Sequence, residues 1–171
     1  MKVRRIALTA AALVPVTAGA LFAWGELAPH KVETSVEIAA PADKVYGILT
    51  DFQGHSQWDP FMVKAEGRAV KGKTLNIELR DTDGSTMTFK PKVLAADPGR
   101  ELRWIGRMYV PGIVDGEHYF RIEPAGEGKV RLTQGERFSG ALVPVVAGSY
   151  LKMADEFAAL NNALKARAER A

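Results

Sequence analysis

From Met62 to Phe138 the apolar residues recur at every second position, and this pattern constrains the fold more than any other feature of the chain. Leu75, Ile77 and Leu79 alternate with Asn76, Glu78 and Arg80, while Met87, Phe89 and Val93 alternate with Thr88, Lys90 and Lys92. Leu102, Trp104 and Met108 continue the series, then Phe120 and Ile122, then Val130, Leu132 and Phe138. Period two sends successive side chains to opposite faces of a pleated strand, so these segments read as antiparallel strands with one apolar and one wet face. Turn signals separate them at Lys71-Gly72, Asp83-Gly84, Pro98-Gly99, Pro111-Gly112 and Gly126 to Gly128. The spacing predicts a meander of six strands.

The flanking segments complete an α+β architecture. His30 to Ala40 alternates as a seventh, half-buried strand, with Val32, Thr34, Val36 and Ile38 on one face. Pro41 opens a helical stretch to Asp51, and Phe52 to Phe61 reads as a second short helix or ordered loop ended by Pro60. The chain closes with a helix of about 25 residues starting near Val145 or Ser149. Its apolar stripe is Val146, Tyr150, Met153, Phe157, Leu160, Leu164 and Ala168, and Lys165, Arg167 and Arg170 complement the end of its dipole. A seven-stranded antiparallel sheet has one apolar face to cover, and this helix is the only large element available to cover it. The sheet must therefore curve around the helix, and the expected consequence is an apolar pocket between the two.

Residues 1–25 have a different character. Lys2, Arg4 and Arg5 precede an uncharged apolar run, residues 6–24. About 19 helical residues reach roughly 28 Å, close to the thickness of a bilayer core. Two readings stand. In one, a signal peptide is cleaved after Ala18-Gly19-Ala20; in the other, an uncleaved anchor places Trp24 at the interface. Both put the following domain outside the cytoplasmic membrane, with the membrane near. A buried core helix fits less well, because the run has no polar face. Residues 26–31 then read as a linker and 32–171 as a single domain. The net charge of +3 equals the three cations at the start, so the domain itself is charge-balanced and lacks the Lys and Arg surplus of a nucleic-acid binder. The chain has no cysteine, which removes disulfides, thiolate metal sites and thiol nucleophiles. A three-histidine metal site would need His30, His55 and His118 together, so neither a metal nor another cofactor is expected.

Gly67 to Thr74 fits the formula GxxxxGK[ST], but a phosphate-binding loop must lead into a helix, and Leu75 to Arg80 alternates as a strand. The stretch reads as a hairpin connection, and no nucleotide is expected. His118, Gln134 and Glu136 are the informative polar residues, because by parity they share the inward face of Phe120, Ile122, Leu132 and Phe138. A hairpin centred near Gly126 sets His118 opposite Gln134 and diagonal to Glu136. The trio can clamp a ligand hydroxyl or carbonyl, act as an acid/base pair in which Glu136 orients His118, or merely hold strand register. Trp104, Phe120, Tyr150 and Phe157 are the apolar candidates lining the same space. Trp58 and Phe61 read as packing in preference to a lid. His55 is expected exposed in a polar loop, and Tyr119 and Arg121 solvated on the outer face.

The segments Val36-Glu37-Ile38-Ala39-Ala40-Pro41-Ala42-Asp43-Lys44-Val45-Tyr46 and Leu49-Thr50-Asp51-Phe52, leading to Trp58-Asp59-Pro60-Phe61, resemble the SRPBCC superfamily. That superfamily includes START, polyketide cyclase-like and birch-pollen-allergen-like proteins. Gly116 to Pro124 and Glu136 to Gly140 are similar to one of its small bacterial branches, and the likeness runs from about Val32 to Ala168. It implies a helix-grip fold and a cavity for a small hydrophobic ligand such as a lipid or polyketide-like molecule. Three functions follow from this reading: an exported binding or transfer module; a polyketide cyclase/dehydrase-like enzyme using His118 and Glu136; or an interaction domain whose pocket is simply filled core.

Overall fold

The computed structural model describes residues 30–80, 84–108, 110–143 and 153–170. The apolar run at 6–24, with both its readings, lies outside these residues. So does Tyr150. No helix among the described residues is long and apolar enough to cross a membrane.

Among the described residues eight strands and two helices follow one another: β1 (His30–Ile38), α1 (Ala42–Thr50), a 3-10 turn (His55–Gln57), β2 (Met62–Glu66), β3 (Asn76–Arg80), β4 (Thr86–Phe89), β5 (Lys92–Asp97), β6 (Glu101–Met108), β7 (Val114–Pro124), β8 (Val130–Ser139) and α2 (Met153–Ala168). They form a five-stranded antiparallel sheet in the order β1-β8-β7-β6-β5 and a three-stranded sheet in the order β2-β3-β4. The expectation of seven strands in one sheet is corrected by a single residue. The alternation from Met87 to Val93 is continuous in sequence, but Pro91 interrupts it and ends β4 before β5 begins. Proline has no N–H to give to a ladder, so the strand breaks and turns there. The two sheets stay joined across the bend, with Leu75 N–H donating to the Pro91 carbonyl at 2.9 Å and Val93 N–H to the Lys73 carbonyl at 2.8 Å.

The P-loop-like stretch is the connection between β2 and β3, and a strand follows it. Gly67 sits there at φ +122°, and a Cβ at that position would come within 2.9 Å of Leu75 Cδ2. Glycine is therefore required there by backbone geometry.

The main core, between the sheets and the two helices, is built on Ile38, Val45, Leu49, Leu75, Ile77 and Leu132, and a second, smaller cluster gathers Val114, Phe138 and Val143. α2 packs chiefly along β1, with further contact to α1 and β8. Phe157, Leu164 and Ala168 of its predicted stripe are buried. Its last turn is fastened to the sheet edge, Lys165 Nζ donating to the Glu37 carbonyl at 2.6 Å while Glu169 accepts from the Ala39 N–H at 2.8 Å. That backbone bond holds the Glu169 carboxyl below the usual carboxylate range.

Candidate functional site

The β7–β8 hairpin decides which polar groups meet. Its loop centres on Glu127, one residue beyond the expected centre, with Gly126 and Gly128 both at positive φ and Pro124 paired with Val130. The register consequently differs by two residues from the one expected. His118 stands directly opposite Glu136, and Gln134 opposite Phe120. A shift of two preserves the period-two parity, so the same side chains still point inward. Predicted partners are exchanged, but the predicted face is kept.

On that face His118 is held from every side. Its Nδ1 lies 3.2 Å from Glu136 Oε2, and its Nε2 lies 3.2 Å from Gln134 Nε2. An amide nitrogen can only donate, so Nε2 of the ring accepts and Nδ1 carries the proton toward the carboxylate. The ring stacks on Trp104 of β6, its cross-strand partner, with centroids 5.0 Å apart and planes 7° from parallel. Phe120 lies 5.0 Å away, and Phe157 of α2 approaches edge-on at 5.1 Å. Six of the seven residues expected to line the site are therefore neighbours, drawn from β6, β7, β8 and α2. The seventh, Tyr150, is outside the described residues. The side chains of His118 and Glu136 keep 14% and 16% of their surface in solvent, whereas Gln134 keeps 1%. The cluster is reached from outside at its carboxylate–imidazole end and sealed at its amide end.

Asn161 extends the polar chain, and the apolar-stripe reading of the helix passed over it. It lies four residues after Phe157 and three before Leu164, which places it on the buried face of α2, and it is 1% exposed. That helical spacing was its available signal. Its Nδ2 donates to Thr34 Oγ1 at 2.9 Å, and Thr34 is the β1 partner of Gln134. Two buried oxygens in this region, Gln134 Oε1 and Asn161 Oδ1, have no hydrogen-bond partner among the described residues. An unpaired buried acceptor costs about 1–3 kcal/mol.

In the space expected as a hollow between sheet and α2, the rings of Trp104, His118, Phe120 and Phe157 stand as neighbours. Two open clefts of about 580 and 610 Å³ lie elsewhere, the first against Asp97, Arg100 and Arg121, the second beside Pro41, Gly99 and Lys129. No residue of the His118 cluster lines either.

Two further expectations are corrected. His55, expected in solvent, is 3% exposed. Its Nδ1 lies 3.1 Å from Asp59 Oδ2 and its Nε2 3.0 Å from the Leu49 carbonyl, while Trp58 packs on the ring at 4.6 Å. The turn after α1 folds back so that the end of the helix and the start of β2 share one imidazole. Trp58 packs against the main core, in keeping with its reading as packing. Tyr119 is on the outer face as expected but is 3% exposed, because Gly135 across the strand has no side chain and the phenol lies over it. Its hydroxyl donates to Glu33, and the Arg121 guanidinium covers the ring at 4.5 Å. Burial, then the bond to Glu33, pushes the Tyr119 hydroxyl above its ordinary pKa. The bond from Lys31, then that from Tyr119, holds the Glu33 carboxyl below the ordinary carboxylate value.

A bent antiparallel sheet that holds a C-terminal helix against a partly polar interior defines the helix-grip class. Residues 29–169 match the family described as "Polyketide cyclase / dehydrase and lipid transport", and the chain belongs to that family within the SRPBCC superfamily. Among solved structures it is similar to a START superfamily protein from Mycobacterium smegmatis, at 23% identity and a TM-score of 0.60, covering 82% of this chain and 97% of that one. It is also similar to the Zhui aromatase/cyclase of a Streptomyces species, at 23% identity and a TM-score of 0.65, covering 84% and 95%. The norcoclaurine synthase of Thalictrum flavum aligns at 14% identity and a TM-score of 0.62, covering 82% and 86%. At these identities the likeness carries the fold. No curated protein sequence matches the chain.

Proposed function

We propose that this chain binds, and carries, a small hydrophobic ligand on the inner face of its sheet, with the polar end of the ligand at Glu136 and His118. The observation that carries this reading is the isolated polar chain Glu136–His118–Gln134 set among Trp104, Phe120 and Phe157 and still open to solvent at one end. Affinity comes from burying the apolar body of the ligand, and selectivity from the few oriented polar atoms. The family description, which includes lipid transport, supports the same class of ligand. The apolar run at 6–24 supports a location outside the cytoplasmic membrane, by export or by anchoring.

Native mass spectrometry of the protein taken from its own membranes tests both parts, since it reports the N-terminal residue and any retained small molecule. A His118→Ala variant should retain a hydroxylated ligand about tenfold less well than wild type and its deoxygenated analogue almost equally well. Equal losses for the two would remove the polar clamp.

The carboxylate–imidazole contact also supports a second reading, a cyclase/dehydrase-like enzyme. Both ring nitrogens of His118 are engaged within the protein, so Glu136 would be the group that meets substrate, with His118 holding it. That reading requires turnover that vanishes in Glu136→Gln while binding persists. A protein that takes up lipid extract and returns every component unchanged excludes it.

A further inference from the structure

The hydrogen bonds shown at this site run from amide to imidazole and from imidazole to carboxylate, and so end on Glu136. His118 Nδ1–H is used on Glu136, one N–H of the Gln134 amide on His118, and one N–H of the Asn161 amide on Thr34. The bond to His118 uses Glu136 Oε2 and leaves Oε1 over, and two further side-chain oxygens here, Gln134 Oε1 and Asn161 Oδ1, have no partner among the described residues. The last two belong to side chains that are 99% buried, so they set the polarity of the interior. The first belongs to a side chain that keeps 16% of its surface in solvent.

The strands also leave room beside it. The inward-facing pair next to Trp104 and His118 is Gly106 with Gly116, so at this level neither β6 nor β7 has a side chain. A Cβ on Gly106 would meet nothing closer than Phe89 Cδ2 at 3.8 Å, whereas one on Gly116 would overlap Glu136 Oε1. The free carboxylate oxygen therefore hangs over a floor of bare backbone, bounded by the Trp104–His118 stack on one side and Phe89 on another.

We infer that this glycine-floored niche selects ligands whose polar end is a hydrogen-bond donor, a hydroxyl, and discriminates against carboxylates and donorless esters. The inference rests on the binding function proposed above and adds its chemical sign. A hydroxyl satisfies Glu136 Oε1. An ester leaves that oxygen desolvated and unpaired, and a carboxylate brings a second negative charge to it in a weakly screened place. Glu136 is the contact group, and His118 and Gln134 are positioning residues that keep its other oxygen occupied.

The test uses the purified full chain loaded with the neutral fluorescent probe N-phenyl-1-naphthylamine, displaced in turn by 1-decanol, methyl decanoate and sodium decanoate at pH 8. The expected result is displacement by decanol at about one tenth the concentration needed for either of the others. In Glu136→Gln the advantage of decanol over decanoate should shrink to within about threefold, because an amide presents a donor as readily as an acceptor. If the probe binds and the three compounds displace it equally in wild type, or decanoate leads, the donor selection is wrong while the hydrophobic site stands. If the probe does not bind at all, the binding function fails and this inference with it. Gly106→Leu, which fills the niche, should abolish displacement by all three with an unchanged circular dichroism spectrum. Undiminished displacement in that variant would place the ligand elsewhere and overturn the niche.

Discussion

Two histidine–carboxylate pairs, His55–Asp59 and His118–Glu136, differ in how far their hydrogen bonding is completed from within the fold. His55 and Asp59 form a closed set: the ring bonds the carboxylate and the Leu49 carbonyl, and Asp59 Oδ1 accepts from the N–H groups of both Phe61 and Met62 at 2.9 Å. Every valence is answered from within one stretch of chain, and both residues are buried. His118 and Glu136 form an open set. They come from different strands, lean on a buried amide whose oxygen has no partner among the described residues, and keep part of their own surface in solvent. A saturated network rigidifies the fold, whereas an unsaturated one retains capacity for something else.

Three changes would break or sharpen that contrast. The largest effect belongs to His55→Ala. It strips a buried carboxylate of its partner and should lower unfolding free energy by about 3 kcal/mol in a denaturant titration, with probe binding per folded molecule unchanged. A loss of binding at constant stability would reverse the assignment of the two pairs. Asn161→Leu comes next. It exchanges a buried amide, bonded to Thr34 through its nitrogen but without a partner for its oxygen among the described residues, for an apolar group of similar size, so loss and gain offset and stability should stay within about 1 kcal/mol of wild type. Retention of hydroxylated ligand should fall. A loss beyond about 2 kcal/mol would class Asn161 with His55 as an anchor.

The smallest effect lies on the outer face, at Glu33. Its folded pKa is below the ordinary 4.5, so the stability it contributes is complete above that value and is lost as pH falls through the lower folded one. Glu33→Gln should therefore lose less stability than wild type between pH 7 and pH 3.5. The difference should be about half a kcal/mol for a pair this exposed. Tyr119 acts in the opposite direction: its raised pKa means its contribution holds below about pH 10 and fades as pH rises beyond. An identical acid profile for the two proteins would remove the outer-face network from the account.

The inward face was readable residue by residue because alternation is a local property. Trp104, His118, Phe120, Gln134 and Glu136 follow one parity, and a register change of two cannot move them off it. Asn161 was readable in principle from its helical spacing and was hidden only by being polar. His55 was not readable, since its burial depends on a turn that folds back on α1, and nothing in the residues from Gly54 to Gln57 marks them as interior. Tyr119 shows the same limit on the outer face, where the absence of a side chain on a neighbouring strand turned a surface phenol into a buried one.

Periodicity along the chain thus determined which residues are strand, which are helix and which face looks inward, because those properties follow from bonds and sterics within a few residues. Which inward residues touch was settled only in three dimensions. A phenol buried over a glycine of the neighbouring strand, an amide on α2 bonded to β1, and two glycines brought side by side are facts about separated segments, and no local pattern contains them.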